Sequence, residues 1–106
     1  RVRIGDGVIV SGNSASSMDI PPYTIAHSRN SLGGLNLIGM NRRKMPRADI
    51  AEVKSLYAKV YANAAARKNA LELIAEGAAQ TEAGKNFLSF FETEGRHYLS
   101  PFSGRA

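Results

Sequence analysis

Ile4 and Val10 stand six residues apart, and so do Val8 and Ser14, within the run Ile4-Gly5-Asp6-Gly7-Val8-Ile9-Val10-Ser11-Gly12-Asn13-Ser14-Ala15. A period of six suits a parallel β-helix, in which three hexapeptides make one triangular coil. An aliphatic residue then points inward on each coil and a small one lets the chain turn the corner. Neighbouring coils pair their backbone groups as a parallel ladder. Two hexads fit and Ser16-Ser17-Met18-Asp19-Ile20-Pro21 fits poorly, so a pair of short strands around a Gly-rich turn is the competing reading. Ile20-Pro21-Pro22-Tyr23 reads as an extended stop, because two prolines fix φ and remove two ladder donors.

The rest of the chain changes character. Pro46 suits the first position of a helix, and Asp49 places negative charge in its first turn. Ile50, Val53, Tyr57, Val60 and Tyr61 then share one face. Asn63 suggests a break. A second helix is expected over about 66–76, with Leu71, Leu73 and Ile74 apolar and Gly77 as its stop. Thr81 can cap a third, with Glu82 in its first turn, Phe87, Leu88, Phe90 and Phe91 buried, and Gly95 at its end. Helices of this length hold mainly by burying such faces on each other.

With 106 residues and 43% hydrophobic content, the chain is one small domain or part of a larger one. It opens on Arg1-Val2-Arg3-Ile4 without an initiator Met, which reads as a cut through a longer protein. There is no cysteine, which fits a reducing compartment and excludes thiolate metal sites. The two histidines, His27 and His97, are far apart, so no structural metal is expected. No apolar run approaches the roughly 20 residues that cross a bilayer, and no signal peptide is visible. The net charge of +5 fits an acidic partner of some kind.

That charge is densest at Asn41-Arg42-Arg43-Lys44, with Arg47 just beyond, after the Gly-rich stretch Gly33-Gly34-Leu35-Asn36-Leu37-Ile38-Gly39-Met40. Arginine's planar fork matches phosphate or carboxylate, and glycines let backbone approach a ligand closely. The same cluster also suits a solvated loop, and residue types alone leave both readings open. Nucleic-acid binding is not expected, because residues 28–47 hold no aromatic for bases to stack on. The serines at 11, 14, 16 and 17 lack a partnered base and read as corner residues. Asp19 reads as a turn former rather than an acid catalyst. Gly5-x-Gly7 lacks the third glycine and following helix of a dinucleotide fingerprint.

Two runs carry a family resemblance: Ile20-Pro21-Pro22-Tyr23-Thr24-Ile25-Ala26, and Gly34-Leu35-Asn36-Leu37-Ile38-Gly39-Met40-Asn41-Arg42-Arg43. Together they resemble the exit of the β-helix in the bacterial UDP-N-acetylglucosamine O-acyltransferases. The Asn-x-x-Gly-x-x-Arg-Arg run is the more restricted of the two, and it argues against the related N-acyltransferases. The run Phe87-Leu88-Ser89-Phe90-Phe91, followed by Arg96, is similar to that family's last helix and tail.

The resemblance implies a β + α fold: the last coils of a left-handed parallel β-helix (1–27), a basic connecting loop (28–45) and a carboxyl-terminal helical bundle (46–106). It implies a cytoplasmic homotrimer with sites between subunits, needing no cofactor or metal. The whole enzyme moves a 3-hydroxyacyl group from acyl carrier protein to the 3-hydroxyl of UDP-N-acetylglucosamine, the first step of lipid A biosynthesis. By motif position, Asn36 and Arg43 would contact the sugar nucleotide, Arg43 near its phosphates, and His27 stands where the family often has a substrate-binding Gln. Arg42 would face the acidic carrier protein, with Lys44 and Arg47 extending that basic rim. Gly12 would leave room at the end of the acyl chain. The family's catalytic histidine lies upstream of the double proline, and no residue here aligns with it, so no catalytic residue is expected in this chain. Ser28-Arg29-Asn30 departs from the family's pattern, and that loop is one residue shorter. A trimerising or carrier-binding module without activity is the alternative.

Overall fold

Backbone pairing begins with two parallel bridges that share one spacing. Ile4 pairs with Ile20, and β1 (Ile9–Val10) pairs with β2 (Thr24–His27) through Ile9–Ile25 and Val10–Ala26. Each partner lies 16 residues further on, two short of three full hexapeptides. The computed structural model describes residues 2–12, 16–27 and 31–102; Asn13, Ser14 and the departing run Ser28-Arg29-Asn30 lie outside them.

The double proline turns a corner and does not end the pairing, which corrects the stop expected there. Gly5 N–H donates to Ile20 O at 2.8 Å, and Tyr23 N–H donates to Asp6 O at 2.7 Å. Between them stand the two residues that have no N–H to offer. Gly5 has to lack a side chain, because a Cβ there would collide with the Pro22 backbone. Beyond the corner β2 resumes the ladder.

The ladder is then covered in two different ways. On one side β3 (Ser31–Leu35) folds back antiparallel onto β2, giving the order β1-β2-β3, with an irregularity between Thr24 and Ala26. On the other side residues 97–99 return to Asp19: Asp19 N–H donates to His97 O at 2.8 Å, and Leu99 N–H donates to Asp19 O at 2.7 Å, in parallel register. The segment after the last helix is therefore a rung of the ladder. Ile4, Ile9 and Val10 remain 59%, 44% and 49% exposed. Among the described residues they have a ladder neighbour on one side only.

Two elements lie within 28–45, where a loop was expected: β3 and the short helix α1 (Leu37–Arg42). Helix α2 (Arg47–Val60) starts one residue after Pro46, which is its cap, and buries Val53, Leu56 and Val60. Leu56 extends the expected face. Helix α3 (Ala66–Ala75) stops before Gly77, whose φ of 67° is the left-handed conformation that glycine adopts without strain. Helix α4 (Glu82–Ser89) starts where expected, with Gly84 N–H donating to Thr81 Oγ at 2.9 Å. It ends at Ser89, six residues before Gly95. Phe91 and Glu92 N–H groups bond three residues back, tightening the turn that sends the chain to Asp19.

Helices α2, α3 and α4 pack pairwise around Phe87 and Phe91, both fully buried. The rings of Phe87, Phe91 and Tyr98 run in series, with centroids 5.6 and 4.9 Å apart. Tyr61 Oη donates to Leu99 O at 2.8 Å. Helix core and ladder rung are thereby joined through one aromatic column.

Candidate site at the Asp6–Gly7 turn

Helix α1 has six residues, one of them glycine, and its intrinsic helix tendency is weak. Asn36 holds it in place. Its Oδ1 accepts from Gly39 N–H at 2.9 Å, capping the helix, while its Nδ2 donates to Gly7 O at 3.0 Å. The residue is 6% exposed. Gly39 is required because a Cβ there would collide with the Asn36 amide. The Asn-x-x-Gly spacing thus has a local reason.

Arg43 caps the other end of α1, and its side chain reaches the same turn. A Cβ on Gly7 would stand 2.6 Å from Arg43 Nη1 and 3.1 Å from Tyr23 Cδ1. The guanidinium therefore occupies the space that any side chain at Gly7 would fill. It lines a cleft of about 600 Å³ shared with Asp6, Tyr23, Asp49, Glu82 and Lys85. Among the described residues no carboxylate pairs with it. The lining sets two cations, Arg43 and Lys85, among three carboxylates, Asp6, Asp49 and Glu82.

Arg42, Lys44 and Arg47 are exposed, as Arg43 is, on the last turn of α1, the following turn and the first residue of α2. Lys44 has a φ of 56°, rare for a residue with a side chain, and this marks a sharp reversal between the helices. The structure gathers these three cations on one short segment with Arg43. His27 is exposed at the end of β2, with its ring over Gly33, where a Cβ would stand 2.7 Å from His27 Cδ2. Gly12 is exposed, and a Cβ there would meet nothing within 4 Å. Ser11 N–H donates to Ala26 O at 3.0 Å, so Gly12 and His27 share one end of the ladder. Asn36 and Arg43 converge at Gly7.

Asp19 is the residue the sequence most misrepresents. It is 2% exposed and clamped by two arginines. Arg3 Nε donates to Oδ2 at 2.8 Å and Arg3 N–H to Oδ1 at 2.9 Å; Arg96 donates from Nε at 2.8 Å and Nη2 at 2.5 Å. Burial by itself would raise its pKa, but the hydrogen bonds from Arg96 and Arg3 outweigh that and hold it well below the ordinary carboxylate range. Arg3 also lies over the Phe90 ring, 4.4 Å from its centroid. Only the distances between positions 3, 19 and 96 hid this clamp. Glu52 was missed in the same way: from α2 it accepts from Gln80 N–H, Thr81 N–H and Thr81 Oγ at the start of α4. A groove of about 260 Å³ between α3 and α4 holds none of the expected binding residues.

Residues 19–99 match the family model described as UDP-N-acetylglucosamine O-acyltransferase, domain 2. The acyl-[acyl-carrier-protein]–UDP-N-acetylglucosamine O-acyltransferase of Sulfurovum sp. is 36% identical over 96 residues, 90% of this chain and 36% of that protein. That of Nautilia profundicola is 40% identical over 76 residues, 71% of this chain and 29% of that protein. Among solved structures, the UDP-N-acetylglucosamine acyltransferase from Campylobacter jejuni superposes with a TM-score of 0.79 at 27% identity, covering 92% of this chain and 38% of that one. The chain spans about a third of the length of the curated relatives it matches. Matching sequence, Asn36-to-Arg43 motif and superposable fold lead to one conclusion: this chain belongs to the UDP-N-acetylglucosamine O-acyltransferase family.

Proposed function

We propose that this chain is the carboxyl-terminal portion of an acyltransferase that moves a 3-hydroxyacyl group from acyl carrier protein to the 3-hydroxyl of UDP-N-acetylglucosamine, opening lipid A biosynthesis in the cytoplasm. In that reading residues 1–27 are the last coils of a left-handed parallel β-helix. Residues 46–106 are its helical bundle, and three copies assemble with their sites between subunits. The observation that carries the reading is the meeting of buried Asn36 and Arg43 at one turn, inside a segment matched by named UDP-N-acetylglucosamine O-acyltransferases.

The chemistry is transfer of the acyl carbonyl from a thioester sulfur to a sugar hydroxyl, whose proton a general base takes. In this reading the base lies outside this chain, whose contribution is binding and orientation. Arg43 offers the diphosphate charge-assisted donors from a fixed place. Asn36 and His27 frame the sugar nucleotide. Arg42, Lys44 and Arg47 form the rim that meets the acidic carrier protein, and Gly12 leaves space for the acyl tail.

The test is separate titration of UDP-N-acetylglucosamine and acyl carrier protein against this chain. Carrier binding should weaken from low to moderate salt, because exposed charges are screened over about 10 Å at 0.1 M, and should weaken again in Arg42→Ala. Binding indifferent to both changes would sink the basic rim. The chain alone is expected to show no turnover, and turnover would place a base within it.

A further inference from the structure

We propose that Gly7 is a positioning residue: the Asp6–Gly7 turn, bare of side chain at its second residue, is the seat that fixes the Arg43 guanidinium and so sets where this chain offers a positive charge to an anion. That the anion is a nucleoside diphosphate rests on the functional reading above; the seat does not.

Three elements pin the turn. Tyr23 N–H donates to Asp6 O at 2.7 Å, Asn36 Nδ2 to Gly7 O at 3.0 Å, and Asn86 Nδ2, from α4, to Asp6 Oδ2 at 3.1 Å. Asn86 Nδ2 also donates to Tyr23 Oη at 2.9 Å, fixing the ring that floors the turn. Gly7 has a φ of 69°, and its missing Cβ leaves a notch beside the Tyr23 ring. Arg43 Nη1 sits in that notch. Arg43 is exposed and in no ion pair among the described residues, with Asp6, Asp49 and Glu82 lining the same cleft, so contact with the turn is what would restrict a side chain otherwise free to sample many rotamers. Asn36 and Arg43 thus reach the site through one shared peptide, and α1 is the bar between them.

The variant Gly7→Asn isolates the notch, because asparagine accepts left-handed φ at low cost while its Cβ and amide fill the seat. Gly77→Asn is its control: φ there is 67°, and a Cβ would meet nothing within 4 Å. In the isotope-labelled full chain, nitrogen relaxation of the Arg43 Nε–H should report restricted motion in the parent and in Gly77→Asn. In Gly7→Asn it should become as mobile as exposed Arg42. An Arg43 already as mobile as Arg42 in the parent overturns the seat without any variant, and so does unchanged Arg43 motion in Gly7→Asn. Calorimetric titration then reads its use. Gly7→Asn should weaken UDP-N-acetylglucosamine binding at least about tenfold, and adding Arg43→Ala should weaken it no further, as expected for two residues acting through one contact. A change within about twofold, or losses that multiply, overturns the positioning role. A parent chain that binds no UDP-N-acetylglucosamine overturns the functional reading and the diphosphate with it, while relaxation still decides the seat.

Discussion

Arginine serves opposite purposes at two places in this chain. Arg3 and Arg96 are spent on Asp19, a carboxylate 2% exposed, and tie the ladder to the segment that follows α4. Arg42 and Arg43, with Lys44 and Arg47, pair with no carboxylate among the described residues. A charge answered inside the fold strengthens the fold and has nothing left to bind with. A charge left unanswered contributes little to stability and remains available to an anion. Counting basic residues cannot separate the two groups; their partners can.

The largest expected effect tests the answered set. Asp19→Ala leaves two partly exposed guanidiniums facing each other with no anion and should destabilise the chain by about 2–3 kcal/mol in urea unfolding. A loss under about 1 kcal/mol would mean the clamp is ornamental. Next comes acid. Asp19's folded pKa lies below its unfolded value near 3.8, so its contribution is complete above that value and drains away as pH falls through the acid range. Asp19→Asn should remove that part of the acid sensitivity, seen as a flatter stability curve below about pH 5. Glu52→Gln keeps the shape but weakens the carboxylate that holds the start of α4, and should cost about 1 kcal/mol. The smallest stability effect belongs to the unanswered set. Arg42→Ala should leave unfolding within about 0.5 kcal/mol of the parent while flattening the salt dependence of carrier-protein binding. If Arg42→Ala destabilised as much as Asp19→Ala, the contrast between the two sets would collapse.

Local signals were legible in the sequence. Thr81 as a cap and Gly77 as a stop depend on neighbours within a turn or two and appear where expected; the α2 face appears with Leu56 added, and of the last apolar run Phe87, Leu88 and Phe91 are buried while Phe90 is half-buried and α4 ends at Ser89. The family motif singled out Asn36 and Arg43, but neither composition nor spacing gave the reason they meet. Their common point is Gly7, far back in the chain, and a glycine has no side chain to advertise a contact. β3 escaped notice because Gly33 and Gly34 weaken any strand pattern, and α1 because it exists only through its cap and Met40, its one buried side chain. Asp19 looked like a turn residue because its ladder partners stand at 3 and 97–99.

The rung at 97–99 also fixes an order of events. Asp19 leaves the ribosome before the segment that covers it, which is made nearly eighty residues later. During synthesis that ladder edge stays open to any passing strand, of this chain or another, a hazard for aggregation. Closing so long a loop is slow as well as late. The aromatic column from Phe87 to Tyr98 ties that segment to α4, so the helices complete the ladder as well as rest on it.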